Sequence, residues 1–282
     1  MREIDLHVHT TASDGTTPPE KLVRLAEAQG LRAVAITDHD NVAGYAAAAQ
    51  AGAACGVEVV PGIEISTKFQ RAVHILGYYI DPDSPDLKPV LDWVVQDRDA
   101  RNEKMVALMA ADGLPVSYAQ MHERFGEVIG RPHFARVLVE LGLAETVSEA
   151  FARFVEKGQK YYVGRNFLSI ERSIEIIRAA GGVPVLAHPF QYRLDDGQLR
   201  ELIEHCLDHG LMGLECRYTG YDEQMCEYLL ALAEEYRLLP TGGSDYHGAN
   251  KPQIALGSGL NGELEVPYEY LARLKEVAGR QF

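Results

Sequence analysis

Cysteine is scarce in this chain: four occur in 282 residues (Cys55, Cys206, Cys216 and Cys226), none of them in CxxC spacing. A chain of this length needs no disulfide staples, so free thiols and a reducing, cytoplasmic compartment are expected. Positive charge is also in deficit, with 27 Lys and Arg against 41 Asp and Glu and a formal net charge of −14. That balance excludes broad binding to long duplex nucleic acid, whose phosphates require clustered cations. A small anionic substrate stays compatible if metal ions reverse the field locally. No apolar run approaches the about 18 residues of a membrane-spanning helix, and no basic segment with an apolar run opens the chain. A protein that is neither membrane-bound nor exported is expected.

What is present, at 46% hydrophobic residues, is enough apolar material for a sizeable core. Seven short runs read as strands: Ile4 to His9, Ala33 to Thr37, Val57 to Ile65, Val73 to Tyr79, Val183 to Ala187, Met212 to Cys216 and Leu239 to Gly243. Most are apolar throughout rather than alternating, which suits strands covered on both faces. Amphipathic segments lie between them, including Pro18 to Gln29, Ile170 to Ala180, Asp196 to His209 and Asp222 to Tyr236, and the Ala-rich stretch Ala46 to Ala54 also reads as helix. The alternation predicts an α/β barrel. From Asp81 to Arg165 the rhythm breaks into helical patterning without a clear strand. The reading is a barrel formed by residues 1–80 and 166–282, with a helical substrate-binding subdomain, residues 81–165, inserted over its mouth.

Histidine supplies the chemistry. His7 and His9 alternate on the first strand, so both rings share one face, an arrangement that chelates metal. Taken alone the pair is equally compatible with packing. Thr37-Asp38-His39-Asp40, Gly62-Ile63-Glu64, Val73-His74, Ala187-His188-Pro189 and Gly243-Ser244-Asp245-Tyr246-His247 place further ligand types at other strand ends. Barrel active sites form at the carboxyl ends of strands, where these residues are expected to gather. With Asp14 the candidates number nine: His7, His9, Asp14, His39, Glu64, His74, His188, Asp245 and His247. That is too many for one ion. Imidazole and carboxylate without thiolate suit Mn, Fe or Zn, and a multinuclear site needs a bridging carboxylate, for which Glu64 is the choice. Asp38 and Asp40 are read as groups that orient imidazoles. His205 and His209 stay outside the site.

The motifs Asp-Leu-His-Val-His-Thr, Thr-Asp-His-Asp, Pro-Gly-Ile-Glu, His-Ile-Leu-Gly-Tyr, Leu-Ala-His-Pro and Gly-Ser-Asp-Tyr-His, in this order, resemble the PHP (polymerase and histidinol phosphatase) family. The resemblance covers essentially the whole chain and implies a distorted seven-stranded β/α barrel holding two or three divalent ions, with Mn favoured. It implies one ion on His7, His9, Glu64 and Asp245, a second on Glu64, His74 and His188, and a third on Asp14, His39 and His247.

Such ions make phosphate ester hydrolysis the natural chemistry, with amide or lactam hydrolysis, as in amidohydrolase-like centres, the lesser fit. The segment from Arg98 to Arg165 carries ten Lys and Arg against nine Asp and Glu, while the rest of the chain carries 17 against 32. The insert is thus where an anion finds cations. Its candidate clamp is Arg101, Asn102 and Lys104 with Arg131 and His133, His133 being also a candidate general acid. Arg98, Arg124 and Arg153 read as surface ion-pairing residues. Tyr162, Arg165, Tyr218 and Tyr246 are weaker candidates for a nucleoside pocket. Arg-Asn-x-Lys, Arg-Pro-His-Phe-Ala and Lys160-Tyr161-Tyr162-Val163 are similar to the bisphosphate phosphatase branch of the family. That likeness implies hydrolysis of adenosine 3′,5′-bisphosphate to AMP and phosphate by a hydroxide bridging the metals. A 5′-to-3′ exonuclease acting on short 5′-phosphorylated oligonucleotides is the nearest rival. Histidinol phosphate phosphatase and a noncatalytic module follow. Oligomeric state is not fixed by the sequence.

Overall fold

The computed structural model describes residues 3–69, 72–126 and 128–279. Ile4–Val8 (β1), Ala33–Ile36 (β2), Glu58–Lys68 (β3), Ala72–Tyr78 (β4), Val183–Leu186 (β5), Gly213–Tyr218 (β6) and Leu239–Gly243 (β7) form one sheet in sequence order. Every residue of β1, β2 and β5 is buried, Asp5 and His7 of β1 included, as strands with both faces covered require. The sheet curls until its edges meet. Asp245 N–H donates to the His7 carbonyl at 2.8 Å, and His9 N–H to the Tyr246 carbonyl at 2.9 Å. Gly243 permits this approach, since a Cβ there would lie 2.4 Å from the Cβ of His7. The result is a nearly closed seven-stranded α/β barrel.

Six strands run parallel, but β4 is antiparallel to both β3 and β5. This corrects the expectation that every ligand lies at a carboxyl end. His74 is near the start of β4, and reversal of that strand brings its beginning to the mouth. Glu64 lies within β3, which runs on beyond β2 and pairs Ser66 with His74.

Helices Pro19–Ala28 (α1) and Gly44–Cys55 (α2) cover β1 and β2. The long helix Leu87–Ala111 (α3) opens the segment after β4, followed by Tyr118–Phe125 (α4), Arg131–Glu140 (α5), Val147–Ala150 (α6) and a π turn, Phe151–Val155. Met105, Met109, Met121, Ile129, Phe134 and Leu138 give this segment an apolar core of its own. Ile170–Ala179 (α7), Asp196–Asp208 (α8) and Glu223–Glu235 (α9) pack on β3 to β7, each started by a side chain (Ser169, Asp195, Asp222) that caps the first turn. A last helix, Tyr268–Ala278 (α10), is absent from the sequence reading and seals another apolar cluster with Ile4, Leu6 and Tyr78. Among the described residues no helix is long and apolar enough to cross a membrane.

Candidate metal centre and anion pocket

Glu64 is the hub of the mouth and is 1% exposed. Its Oε1 lies 2.7 Å from His74 Nδ1, 2.9 Å from His188 Nε2 and 3.4 Å from His7 Nε2, while Oε2 lies 2.9 Å from His39 Nδ1 and 3.3 Å from His9 Nε2. Asp245 Oδ1 approaches His9 Nε2 at 3.2 Å and His7 Nε2 at 3.7 Å; Asp14 Oδ1 approaches His247 Nε2 at 3.2 Å and His39 Nε2 at 3.9 Å. All nine side chains singled out in the sequence are therefore brought together. They fall into four overlapping sets: His9, Asp14, His39 and His247; His7, His9 and Asp245; His7, Glu64 and His188; His39, Glu64 and His74. Each set shares one member with the next, so the four close into a ring.

The geometry fits divalent ions. Two ligands about 2.1 Å from one ion at a tetrahedral angle stand roughly 3.4 Å apart, close to the spacings above. His7 Nε2, both nitrogens of His9, Asp14 Oδ1 and Glu64 Oε2 are buried without a hydrogen-bond partner, a cost that ligation removes. Burial alone raises a carboxyl pKa, yet the imidazoles of His39, His74 and His7 hold Glu64 well below the usual carboxylate range. Burial works against His9 becoming charged, but Asp245 and Glu64 lift its pKa to about 9. Carboxylates kept anionic amid imidazoles are what a cation needs.

Supporting residues, two of them (Glu215 and Lys251) absent from the sequence reading, fix the ligands. Glu215, fully buried on β6, takes His7 Nδ1 at 3.0 Å on one oxygen and the His188 backbone N–H at 2.7 Å on the other. An acidic residue in the otherwise apolar run Met212 to Cys216 was the available signal. Tyr218 O–H and Lys251 Nζ both donate to Asp245 Oδ2, which leaves Oδ1 to face the histidines. Asp38 does not orient an imidazole as expected: it accepts from Thr10 N–H, Thr10 O–H and Ser13 O–H and so holds the loop leading to Asp14. Asp40 pairs with Arg98 and Arg165 instead. His205 and His209 lie apart, on α8 and at its C-cap, with His205 against Glu171.

Beside the imidazoles of His39 and His74 and the carboxylate of Asp14, the same cavity is walled by Arg98, Arg101, Arg131 and Arg165, with Gly130, Pro132 and Tyr162. Burial and the neighbouring guanidiniums of Arg98, Arg165 and Arg131 push the Arg101 pKa down, the mark of a cation crowded by others. Two expectations change here. Arg98 is not a surface residue but 7% exposed, because it belongs to the buried stripe Leu91, Val94, Arg98, Arg101 and Met105 on α3. Asn102 and Lys104 do not line the cavity: the Asn102 amide donates to the Ile129 carbonyl and the Tyr118 hydroxyl, and Lys104 is exposed, one position too far round the helix. His133 is buried, stacks on Phe125, and accepts the Gly130 N–H on Nδ1 at 3.0 Å. Of the tyrosines, Tyr162 lines the cavity, Tyr218 is committed to Asp245, and the Tyr246 hydroxyl meets Thr17.

Residues 5–215 match the PHP domain. The chain belongs to the PHP family. This PHP protein is 33% identical to a 5′-3′ exoribonuclease of Haemophilus influenzae, over 87% of its own length and 90% of the relative's. It is 32% identical to a 3′,5′-nucleoside bisphosphate phosphatase of Chromobacterium violaceum, over 88% of each chain. Its fold superposes on the structure of an amidohydrolase from Chromobacterium violaceum, solved with bound sulfate and no metal, with a TM-score of 0.83, 31% identity and 96% coverage of both chains. Asp245 and His247 lie beyond the matched span, yet the closing of the barrel delivers them to the same cluster. The PHP protein is accordingly a metal-dependent phosphoesterase, with a His, Asp and Glu cluster able to bind the metals.

Proposed function

We propose that this PHP enzyme hydrolyses the 3′-phosphate of 3′,5′-nucleoside bisphosphates, converting adenosine 3′,5′-bisphosphate to AMP and phosphate. The observation that carries this reading is the shared cavity, with metal-ligand side chains on one side and four arginines on the other. The nine clustered residues would hold two or three divalent ions, Mn ahead of Fe or Zn, partitioned as the family likeness implies. When bound, such ions supply Lewis acidity and an acidified water. The chain's own residues do the selecting. Arg101 and Arg131, with Arg98 and Arg165 beside them, bind the 5′-phosphate, which a doubly charged phosphate monoester suits better than a diester. His133 is pushed down to about pKa 4 by burial, so it is neutral at pH 7, and with Nδ1 accepting from Gly130 its proton resides on Nε2. Neutral, 2% exposed and outside the residues that line the cavity, the imidazole supports Gly130 next to Arg131 and is not placed to protonate the leaving oxygen.

The exoribonuclease relative favours a second reading, in which the arginines hold the 5′-phosphate of a short oligonucleotide and the next linkage is cut. Histidinol phosphate offers nothing to fill the arginine wall. The test compares Mn-loaded enzyme on adenosine 3′,5′-bisphosphate, AMP, 3′-AMP and a 5′-phosphorylated trinucleotide. Rapid turnover of the bisphosphate alone supports the phosphatase; comparable mononucleotide release from the trinucleotide supports the exonuclease. Equal turnover of 3′-AMP and the bisphosphate overturns both.

A further inference from the structure

We propose that Asp40 is a positioning residue that sets the separation between the arginine pocket and the metal centre, and so selects a phosphoester one nucleoside away from a 5′-phosphate. This inference rests on the reading above. His39 and Asp40 are adjacent, with Cα atoms about 3.8 Å apart. One turns its ring to Glu64, 2.9 Å away; the other turns its carboxylate to the guanidiniums of Arg98 and Arg165. A single peptide unit therefore joins the two ends of the cavity.

The joint is stiff. Asp40 N–H donates to the Glu64 carbonyl at 3.0 Å, and Ser66 N–H donates to Asp40 Oδ1 at 2.9 Å. Both contacts are to β3, the strand carrying the hub carboxylate. Oδ2 is left for the insert, where Arg98 comes from α3 and Arg165, with both terminal nitrogens at 3.3 Å, from the segment leading back to the barrel. The side chain is 1% exposed and its backbone holds φ at +51°, a conformation that L residues rarely adopt and that the surrounding bonds impose. One oxygen thus faces the barrel and the other the insert. A carboxylate needed only to offset charge among the arginines has no reason to be anchored to the strand of Glu64 as well.

Position and charge separate kinetically. Asp40→Asn removes one negative charge from the pocket, so the affinity of a 5′-phosphate is not expected to fall, but its placement is released. Misplacement of about 1 Å can cost on the order of 100-fold in rate. In Mn-loaded enzyme, Asp40→Asn is expected to lower kcat on adenosine 3′,5′-bisphosphate at least tenfold without raising KM. It should also reduce the preference for the bisphosphate over 3′-AMP at least tenfold, with bound Mn per chain as in the wild type. Asp40→Glu keeps the charge but lengthens the arm, and is expected to lose kcat in the same sense. A raised KM with kcat intact, equal losses on both substrates, or wild-type kinetics in Asp40→Glu would each overturn the inference. Wild-type enzyme that does not prefer the bisphosphate to 3′-AMP overturns the parent reading, and this inference with it.

Discussion

His7 and Glu215 stand on strands separated in the barrel by β7, yet Nδ1 of the histidine lies 3.0 Å from Oε1 of the glutamate. The contact fixes which nitrogen is left for the mouth: Nε2, which faces Glu64 and Asp245. Carboxylates placed behind ligating histidines typically contribute 10- to 100-fold to metal affinity. Glu215→Gln leaves an amide nitrogen facing either His7 or the His188 N–H, and is expected to weaken Mn binding by about that factor. Metal content after equilibrium dialysis measures it, and retention equal to wild type would show that the contact does not support the ligands.

Arg131 lines the cavity, with its guanidinium over the Phe151 and Tyr162 rings at 5.0 and 5.6 Å. Arg131→Ala should lower kcat/KM for doubly phosphorylated substrate by about 10- to 100-fold, the scale of one charge-assisted contact. A generic aryl phosphate should lose far less. Equal losses on the two substrates would remove Arg131 from the phosphate-binding wall.

Asn102 and Lys104, two positions apart on α3, should behave as opposites. Asn102→Ala strands the Ile129 carbonyl in the interior and is expected to cost about 1–3 kcal/mol of stability. Lys104→Ala, on the exposed face, should cost nothing measurable. Urea midpoints of the two variants decide this; a loss of substrate affinity in Lys104→Ala at unchanged stability would return that lysine to the site.

His133 gives stability a pH dependence of known sign. In the unfolded chain its imidazole titrates near 6.5, while burial lowers the folded value to about 4. Between those values the unfolded state holds more protons, so this contribution is complete above about 6.5 and is lost as pH falls toward 4. His133→Asn should flatten the dependence of unfolding free energy on pH in that window, by up to about 1.4 kcal/mol per pH unit. Parallel wild-type and variant curves in metal-free protein would contradict the buried neutral imidazole.

The strands were legible because β2 and β5 are apolar throughout and β1 is interrupted only by Asp5 and His7, and the ligands because histidine and carboxylate rarely recur at strand ends. The reversal of β4 was not, since Val73 to Tyr78 reads alike in either direction and only pairing with Gly62 to Lys68 reveals its sense. Arg98 was misread because charge was weighed without phase; counting three and four residues from Val94 places it on the buried stripe. Glu215 was passed over as part of a strand, although a carboxylate among Leu214 and Cys216 must find partners once buried. Asp40 was noticed for its neighbour, His39, when its own partners come from residues 58 and 125 positions away. Contacts of that range leave no local trace.

The reversed β4 also has a mechanical consequence. It delivers the chain to the amino end of the barrel, where Asp81 N–H bonds the Ala180 carbonyl, so the next segment has to climb back. Helix α3 makes that climb, its 25 residues spanning about 38 Å. Arg98 sits about 16 Å above its foot at Leu87, which makes the helix a lever: a tilt of a few degrees at the base displaces the guanidinium by roughly 1 Å. The grip of Asp40 on Arg98 and Arg165 is the stop against which that lever rests.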